Sequence, residues 1–210
     1  MDAITRALAT LRVIPVVVLE AASHAEALGA ALKAGGLPCA EVTFRTPAAQ
    51  EALRTMARDA DLLVGAGTVL QPDQVDRALD AGARFIVTPG FSRRVVERCQ
   101  ARGVVVYPGV ATPTEIQMAL EIGIDIVKFF PAEASGGVDA LKAIAAPFPM
   151  VRFIPTGGIN ATNLERYLGF ESVLAVGGSW MVAPPLIASG NFDQITRLTR
   201  AAVDCVKPRI

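Results

Sequence analysis

The sequence predicts an α/β protein, a (β/α)8 TIM barrel with an extra N-terminal helix. Eight short runs rich in Val, Ile and Leu recur about every 22 residues, and segments with helical periodicity separate them. Near-continuous apolar strands that alternate with helices are typical of parallel sheets covered by helices. The alternative, an open doubly wound sheet, usually has five or six strands and a GxGxxG turn after strand 1, which this chain lacks. With no linker or change in composition, residues 1–210 are predicted to form a single domain.

We place the elements in chain order from these patterns. A helix at about 2–12 precedes the first strand and is expected to cap the bottom of the barrel. The helical segments often open with Ser, Thr, Asn or Pro and end at Gly, as caps and first-turn residues do. The eight apolar runs predict strands at 13–19, 39–44, 61–66, 84–89, 104–108, 125–130, 151–156 and 172–178.

Composition narrows the classes of function. The chain is 52% hydrophobic and balances 20 basic against 20 acidic side chains, which argues against a broad nucleic-acid surface. Three dispersed cysteines and one histidine favour neither a disulfide framework nor a zinc site. The first apolar run has seven residues including a proline, so we expect no signal peptide and no membrane span. We therefore expect a cytoplasmic protein.

Catalytic groups in such barrels lie at the carboxyl ends of the strands. Strand 2 ends in "EVTFR", where a side-chain period of two puts Glu41, Thr43 and Arg45 on one face. We interpret this polar face as pointing into the barrel. A carboxylate and a guanidinium there must serve each other, as an internal Glu–Arg pair, or serve a ligand.

Strand 6 contains Lys128 within the apolar stretch "IDIVKFFPAE". Parity places Lys128 and Phe130 on the same face, and we expect both to point inward. Burial and the nearby Arg45 would favour the neutral, nucleophilic amine over the ammonium form. The alternative is a lysine that reaches out from the strand end to solvent. The other lysines fall in helical or tail segments: Lys33, Lys142 and Lys207.

The remaining strand ends are rich in glycine and proline. Strand 3 ends in "GAGT", where Thr68 offers a hydroxyl, and strand 4 ends in "TPGF", where Pro89 shapes a rigid wall. Strands 7 and 8 end in "PTGGI" and "VGGSW". Barrels frequently bind phosphate with the loops after these two strands, although plain turns are the alternative. The candidate phosphate donors are Gly157, Gly158, Gly178 and Ser179.

An inward lysine with a carboxylate, an arginine and a phosphate site favours Schiff-base chemistry on an elongated substrate. No cofactor is expected, and no metal is needed because an iminium stabilises a carbanion, although composition leaves a weak Mg²⁺ site open. Two alternatives remain. One is a phosphate-binding isomerase or synthase with Glu41 as base and Lys128 as an electrostatic clamp. The other is a non-catalytic phosphosugar sensor.

Eight motifs in order resemble the 2-keto-3-deoxy-6-phosphogluconate (KDPG) aldolase family, some of whose members also act on 4-hydroxy-2-oxoglutarate. They are "EVTFRT", "VGAGTV", "TPG", "PGVATPTE", "VKFFPAE", "GGVDALKA", "FIPTGGI" and "VGGSW". The resemblance implies cleavage to pyruvate and D-glyceraldehyde 3-phosphate, with Lys128 forming the Schiff base and Glu41 as general acid/base. A 6-phosphogalactonate-type or a 4-hydroxy-2-oxoglutarate substrate is the alternative. The resemblance also implies a homotrimer, whereas the charge balance and the short apolar runs are the reasons to expect no nucleic-acid and no membrane partner.

The resemblance assigns the other site residues as well. Arg45 and Thr68 match positions that hold the pyruvate carboxylate, and Pro89 and Phe130 match apolar walls. Thr156 matches a hydroxyl that contacts the sugar acid. The phosphate site is matched by Gly157, Gly158, Gly178 and Ser179. The sequence departs from the family pattern after strand 1, where Glu20 stands in place of the basic residue that relatives often carry; an acidic residue there would not help to bind an anion.

Overall fold

Strands and helices alternate along the whole chain in a computed structural model, which describes residues 1–206. Lys207 and the last residues of the predicted domain lie outside the described residues. The strands are β1 (Val13–Val17), β2 (Cys39–Thr43), β3 (Leu63–Gly67), β4 (Phe85–Val87), β5 (Val105–Tyr107), β6 (Gly109–Val110), β7 (Ile126–Phe129), β8 (Arg152–Pro155) and β9 (Val176–Gly178). The helices are α1 (Ala3–Leu11), α2 (Ala25–Gly35), α3 (Ala49–Ala57), α4 (Pro72–Asp80), α5 (Arg93–Ala101), α6 (Pro113–Leu120), α7 (Gly137–Ala145), α8 (Leu164–Leu168), α9 (Pro184–Ala188) and α10 (Phe192–Val206). Short 3₁₀ helices lie at Ala22–His24 and Trp180–Val182.

All strand pairs are parallel, and the strands form two sheets. The larger sheet has six strands in the order β5-β4-β3-β2-β1-β9, and the smaller has the order β6-β7-β8. Isolated bridges between Phe153 and Val173 and between Thr156 and Gly177 connect β8 to the β9 side. The α/β class and the parallel pairing are thus confirmed, whereas closure into one eight-stranded barrel stays a prediction.

Most strand boundaries differ from the sequence prediction by one or two residues, and two strands differ more. The strand predicted at 104–108 is β5, followed after Pro108 by β6, because proline has no N–H to donate to a neighbouring strand. The strand predicted at 172–178 begins at Val176, because the preceding residues make only an isolated bridge, between Val173 and Phe153, and Val173 N donates to Phe170 O in a turn. The helix predicted at 2–12 is α1, whose first turn is capped by the carboxylate of Asp2.

Alternating side chains separate two apolar clusters. The outer core lies between the sheets and the helices and includes Val42 and Phe129. The inner core lies on the opposite strand face and comprises Leu8, Ile14, Cys39, Phe85, Val87, Tyr107, Ile154, Leu174 and Ala175. Leu8 comes from α1, and Thr5 on the same helix hydrogen-bonds Tyr107 Oη through its hydroxyl, at 2.9 Å. Helix α1 therefore packs against the inner core.

Within residues 1–206, no helix combines the length and the apolar character needed to cross a bilayer.

Candidate active site

Lys128 lies on the inward face of β7 and pairs with Glu41 of β2. Its neighbours on that strand, Val127 and Phe129, point the other way and pack in the outer core. Lys128 is 5% exposed and Glu41 is 3% exposed, and Nζ lies 3.2 Å from Glu41 Oε1. The Nζ atom also lies 5.2 Å from the centroid of the Phe130 ring, where a cation interacts favourably with the aromatic face. Lys128 therefore does not reach out to solvent.

The partner of Glu41 is this lysine and not Arg45, so the internal Glu–Arg pair considered from the sequence does not form. Removing two charges from water costs several kcal/mol per ion, and their mutual attraction often does no more than offset that cost. Well-packed hydrocarbon side chains would serve stability equally well. A buried lysine–carboxylate pair at this position therefore points to chemistry.

Two glycines of β3 make room for inward side chains of the neighbouring strands. A Cβ at Gly67 would lie 2.2 Å from Glu41 Oε1, and a Cβ at Gly65 would lie 2.3 Å from the Phe85 ring. The role of these glycines is to leave space for the Glu41 carboxylate and for an inner-core ring.

Arg45 and Thr68 meet at the rim, beyond the ends of β2 and β3. Arg45 is exposed, and its Nε donates to Thr68 Oγ1 at 3.2 Å. Thr68 has φ 55°, a left-handed conformation that is uncommon for a β-branched residue. The hydroxyl of Thr43, by contrast, donates to Val17 O at 2.8 Å and is not available to a ligand. The rim thus presents a guanidinium whose orientation is fixed by a strained threonine.

A cavity of about 340 Å³ extends from Arg45 across Phe130 to the loops after β8 and β9. Gly157 and Gly158 have φ of 103° and 78°, values that only glycine adopts readily. The predicted residues that line this cavity are Arg45, Phe130, Thr156, Gly157, Gly158, Gly178 and Ser179. Lys128 lies beside this lining through its contact with the Phe130 ring, and Glu41 pairs with Lys128. The structure therefore brings nearly all the predicted site residues together.

Four predicted site residues are not among those that line the cavity. Lys128 lies beside the lining residue Phe130 and pairs with Glu41, and Thr68 bonds the lining residue Arg45. The fourth is Pro89. Its carbonyl group packs instead against Gly109, where a Cβ would lie 2.3 Å from the Pro89 oxygen.

The sequence interpretation missed the apolar part of the lining: Val16, Val18, Ile159, Gly177, Val182 and Pro184. Val16 could have been found, because it shares the inward parity of Ile14 and pairs in register with Glu41.

Glu20 lies outside this cavity. It lines a neighbouring cavity of about 240 Å³ together with His24, and the two cavities share Val18 and Pro184. Within the described part of the chain, no group of three or more His, Cys, Asp or Glu side chains is placed to hold a metal ion.

A buried lysine beside a carboxylate at the carboxyl ends of parallel strands, next to a cavity with glycine-rich loops, defines an α/β enzyme with a lysine nucleophile. The profile of the family described as "KDPG and KHG aldolase" matches residues 4–198. The chain belongs to this aldolase family.

Named relatives agree with this assignment. The 2-dehydro-3-deoxy-phosphogluconate aldolase of Treponema pallidum is 50% identical over 98% of this chain and 99% of its own length. A KDPG aldolase structure from Legionella pneumophila, with pyruvate captured as a covalent carbinolamine intermediate, is 43% identical. It superposes with a TM-score of 0.91 over 95% of this chain and 98% of that one. The Zymomonas mobilis KDPG aldolase with 3-phosphoglycerate is 40% identical, with a TM-score of 0.91 over 100% of this chain and 99% of that one.

Proposed function

We propose that this protein is a class I aldolase that cleaves 2-keto-3-deoxy-6-phosphogluconate to pyruvate and D-glyceraldehyde 3-phosphate through a Schiff base on Lys128. The observation that carries the proposal is the buried Lys128–Glu41 pair, with 3.2 Å between Nζ and Oε1, beside a cavity that ends in glycine loops. Relatives with this activity in their names, such as that of Treponema pallidum, support it.

The reaction begins when the neutral amine of Lys128 attacks the C2 ketone of the substrate. The carbinolamine loses water and becomes an iminium, which draws electrons from C3. Glu41 takes the proton of the C4 hydroxyl, the C3–C4 bond breaks, and its electron pair forms an enamine on Lys128. After the aldehyde leaves, Glu41 returns a proton to C3, and water hydrolyses the iminium to release pyruvate. Glu41 is in hydrogen-bond distance of Nζ, which suits it to carry protons at the reacting centre.

The two ends of the cavity bind the two charged ends of the substrate. Arg45 and Thr68 hold the carboxylate at one rim, and a guanidinium binds a carboxylate well because its donors match the two oxygens. Phe130 forms an apolar wall for the pyruvyl group, as Pro89 does in the resemblance. Thr156 contacts the hydroxyls of the sugar acid. The phosphate is held at the far loops by Gly157, Gly158, Gly178 and Ser179.

We further propose that the two sheets are parts of one eight-stranded barrel, with β5 and β6 as one strand interrupted at Pro108. The bridges between β8 and the β9 side support closure. The single domain spanning 1–210, with α1 as its cap, the homotrimer and the cytoplasmic location are proposed on the same resemblance. The three cysteines are free, which suits a reducing compartment.

Borohydride reduction in the presence of pyruvate tests the central claim. The expected result is a stable mass addition to the peptide that contains Lys128, together with pyruvate formation from the phosphorylated substrate in a coupled NADH assay. Lys128→Arg keeps the positive charge but is expected to lose turnover by orders of magnitude. If no mass is added, Lys128 acts as an electrostatic clamp and the Schiff-base mechanism is wrong. Comparing kcat/KM for the gluconate and galactonate epimers then fixes the substrate.

A further inference from the structure

We propose that Glu133, Asn163 and Tyr167 are positioning residues that hold the turn at Gly157–Gly158 in the conformation that binds phosphate. This inference rests on the proposed function. None of the three lines the cavity. They fix the turn from its opposite side.

Two carbonyl groups of the turn are held by hydrogen bonds on the side away from the cavity. Glu133 N donates to Gly157 O at 3.0 Å, and Asn163 Nδ2 donates to Gly158 O at 3.1 Å. Gly158 O also accepts a longer bond of 3.4 Å from Asn160 Nδ2. In a planar trans peptide, the N–H of the next residue points opposite to the carbonyl. Holding these two carbonyls therefore orients the N–H groups of Gly158 and Ile159, which both line the cavity.

These N–H groups are free to bind an anion. Within residues 1–206, neither the N–H of Gly158 nor that of Ile159 has a hydrogen-bond partner. Adjacent backbone N–H groups that face one point form an anion-binding concavity. Unpaired backbone donors are uncommon in folded proteins and are expected to be satisfied when the phosphate binds.

The side chain of Glu133 supports the turn directly. A Cβ at Gly158 would lie 2.6 Å from Glu133 Cβ, so the backbone of the turn rests on the stem of this side chain. The carboxylate is in turn anchored by the hydroxyl of Tyr167, which donates to Oε1. Tyr167 is 1% exposed, and burial raises its pKa above the ordinary value, so its hydroxyl keeps its proton throughout the neutral range. Tyr167 thus fixes Glu133 from the protein interior.

Asn163 connects the turn to the helix that carries the tyrosine. It precedes α8, and its Oδ1 accepts from Asn160 N at 2.8 Å while its Nδ2 bonds Gly158 O. The side chain is therefore held at both ends. Tyr167 and Asn163 both belong to the α8 region, whereas Glu133 follows the strand of Lys128, so the three residues connect the two loops across the phosphate end.

The test compares Asn163→Ala and Tyr167→Phe with Tyr107→Phe. The chain has two tyrosines, and Tyr107 is a matched control because it is equally buried with a bonded hydroxyl but lies in the inner core. Loss of one hydrogen bond at the turn is expected to raise KM for the phosphorylated substrate at least about fivefold, with kcat within about twofold of wild type. The KM for unphosphorylated 4-hydroxy-2-oxoglutarate and the borohydride trapping of pyruvate should stay unchanged, as should all values for Tyr107→Phe.

A conservative pair separates positioning from general stability. Glu133→Gln keeps an oxygen acceptor for Tyr167 and should stay near the wild-type KM, whereas Glu133→Ala should raise it. An equal rise in KM for both substrates, or an unchanged KM in Asn163→Ala, overturns the inference. If Tyr167→Phe does not fold, the KM of Asn163→Ala decides the test, because Asn163 is half-exposed. Failure of the wild-type protein to trap pyruvate would refute the proposed function instead, so the two failures are distinguishable.

Discussion

Replacing Gly67 by alanine should displace the Glu41 carboxylate without touching Lys128. The new Cβ would lie 2.2 Å from Glu41 Oε1 and 2.6 Å from its Cγ. Carbon and oxygen atoms in contact normally lie about 3.5 Å apart, so the carboxylate must move by about 1 Å. A displacement of that size in a catalytic group costs about 10²-fold in rate. We also expect the extra methyl group to lower the free energy of unfolding by about 1–3 kcal/mol.

The assay is the rate of pyruvate formation from the phosphorylated substrate, followed through NADH oxidation by lactate dehydrogenase. Gly90→Ala is the matched control, because a Cβ at this position would meet no heavy atom within 4 Å. Trapping of pyruvate by borohydride should persist in Gly67→Ala, since the lysine is unchanged. A kcat within about threefold of wild type, or an equal loss in Gly90→Ala, would refute the reasoning.

Three further predictions concern the Lys128–Glu41 pair, the cap of α1 and the cysteine thiols. Lys128→Met should lower the free energy of unfolding by about 3 kcal/mol, because Glu41 loses its partner. The double variant Lys128→Met/Glu41→Leu should recover most of the lost free energy of unfolding, measured by urea titration. Burial would raise the pKa of Asp2, but hydrogen bonds from Thr5 outweigh this and hold that pKa below its ordinary value. The stabilisation from Asp2 is present above about pH 4 and is lost as the pH falls through the lowered pKa, so Asp2→Asn should lower Tm more at pH 7 than at pH 3. Burial raises the pKa of the Cys39 and Cys99 thiols to about 12. We therefore expect Ellman's reagent at pH 8 to label only the half-buried Cys205 in the native protein, and all three cysteines after denaturation.

The strand pattern and the inward face of the site could be predicted because both depend on local periodicity. A period of two along β2 and β7 is enough to put Glu41 and Lys128 on inward faces once the strands are parallel. That the two side chains pair with each other could not be predicted, since it depends on which strands face one another across the enclosed space. The sequence left open whether Glu41 serves Arg45 or a ligand.

Side-chain contacts between segments that lie far apart in the chain could not be predicted either. The bond between Tyr167 and Glu133 joins residues 34 positions apart, and neither residue carries a spacing that indicates the pair. The division of the fifth strand at Pro108 was signalled by proline itself. The role of Pro89 stays a prediction, because a proline at a strand end shapes the backbone, and its placement depends on the close packing of its carbonyl group against Gly109 of β6.

The packing of α1 against the inner core has a kinetic consequence for the barrel proposed above. Because Leu8 and the inner-core rings fill the end of that barrel opposite the site, substrate and products pass the same rim. After bond cleavage the pyruvyl fragment remains covalently attached to Lys128 at the inner end, while the phosphorylated aldehyde lies nearer the mouth. The aldehyde therefore departs first, and pyruvate is the product that meets the empty enzyme. Pyruvate should accordingly inhibit competitively against the phosphorylated substrate, and the aldehyde should inhibit noncompetitively.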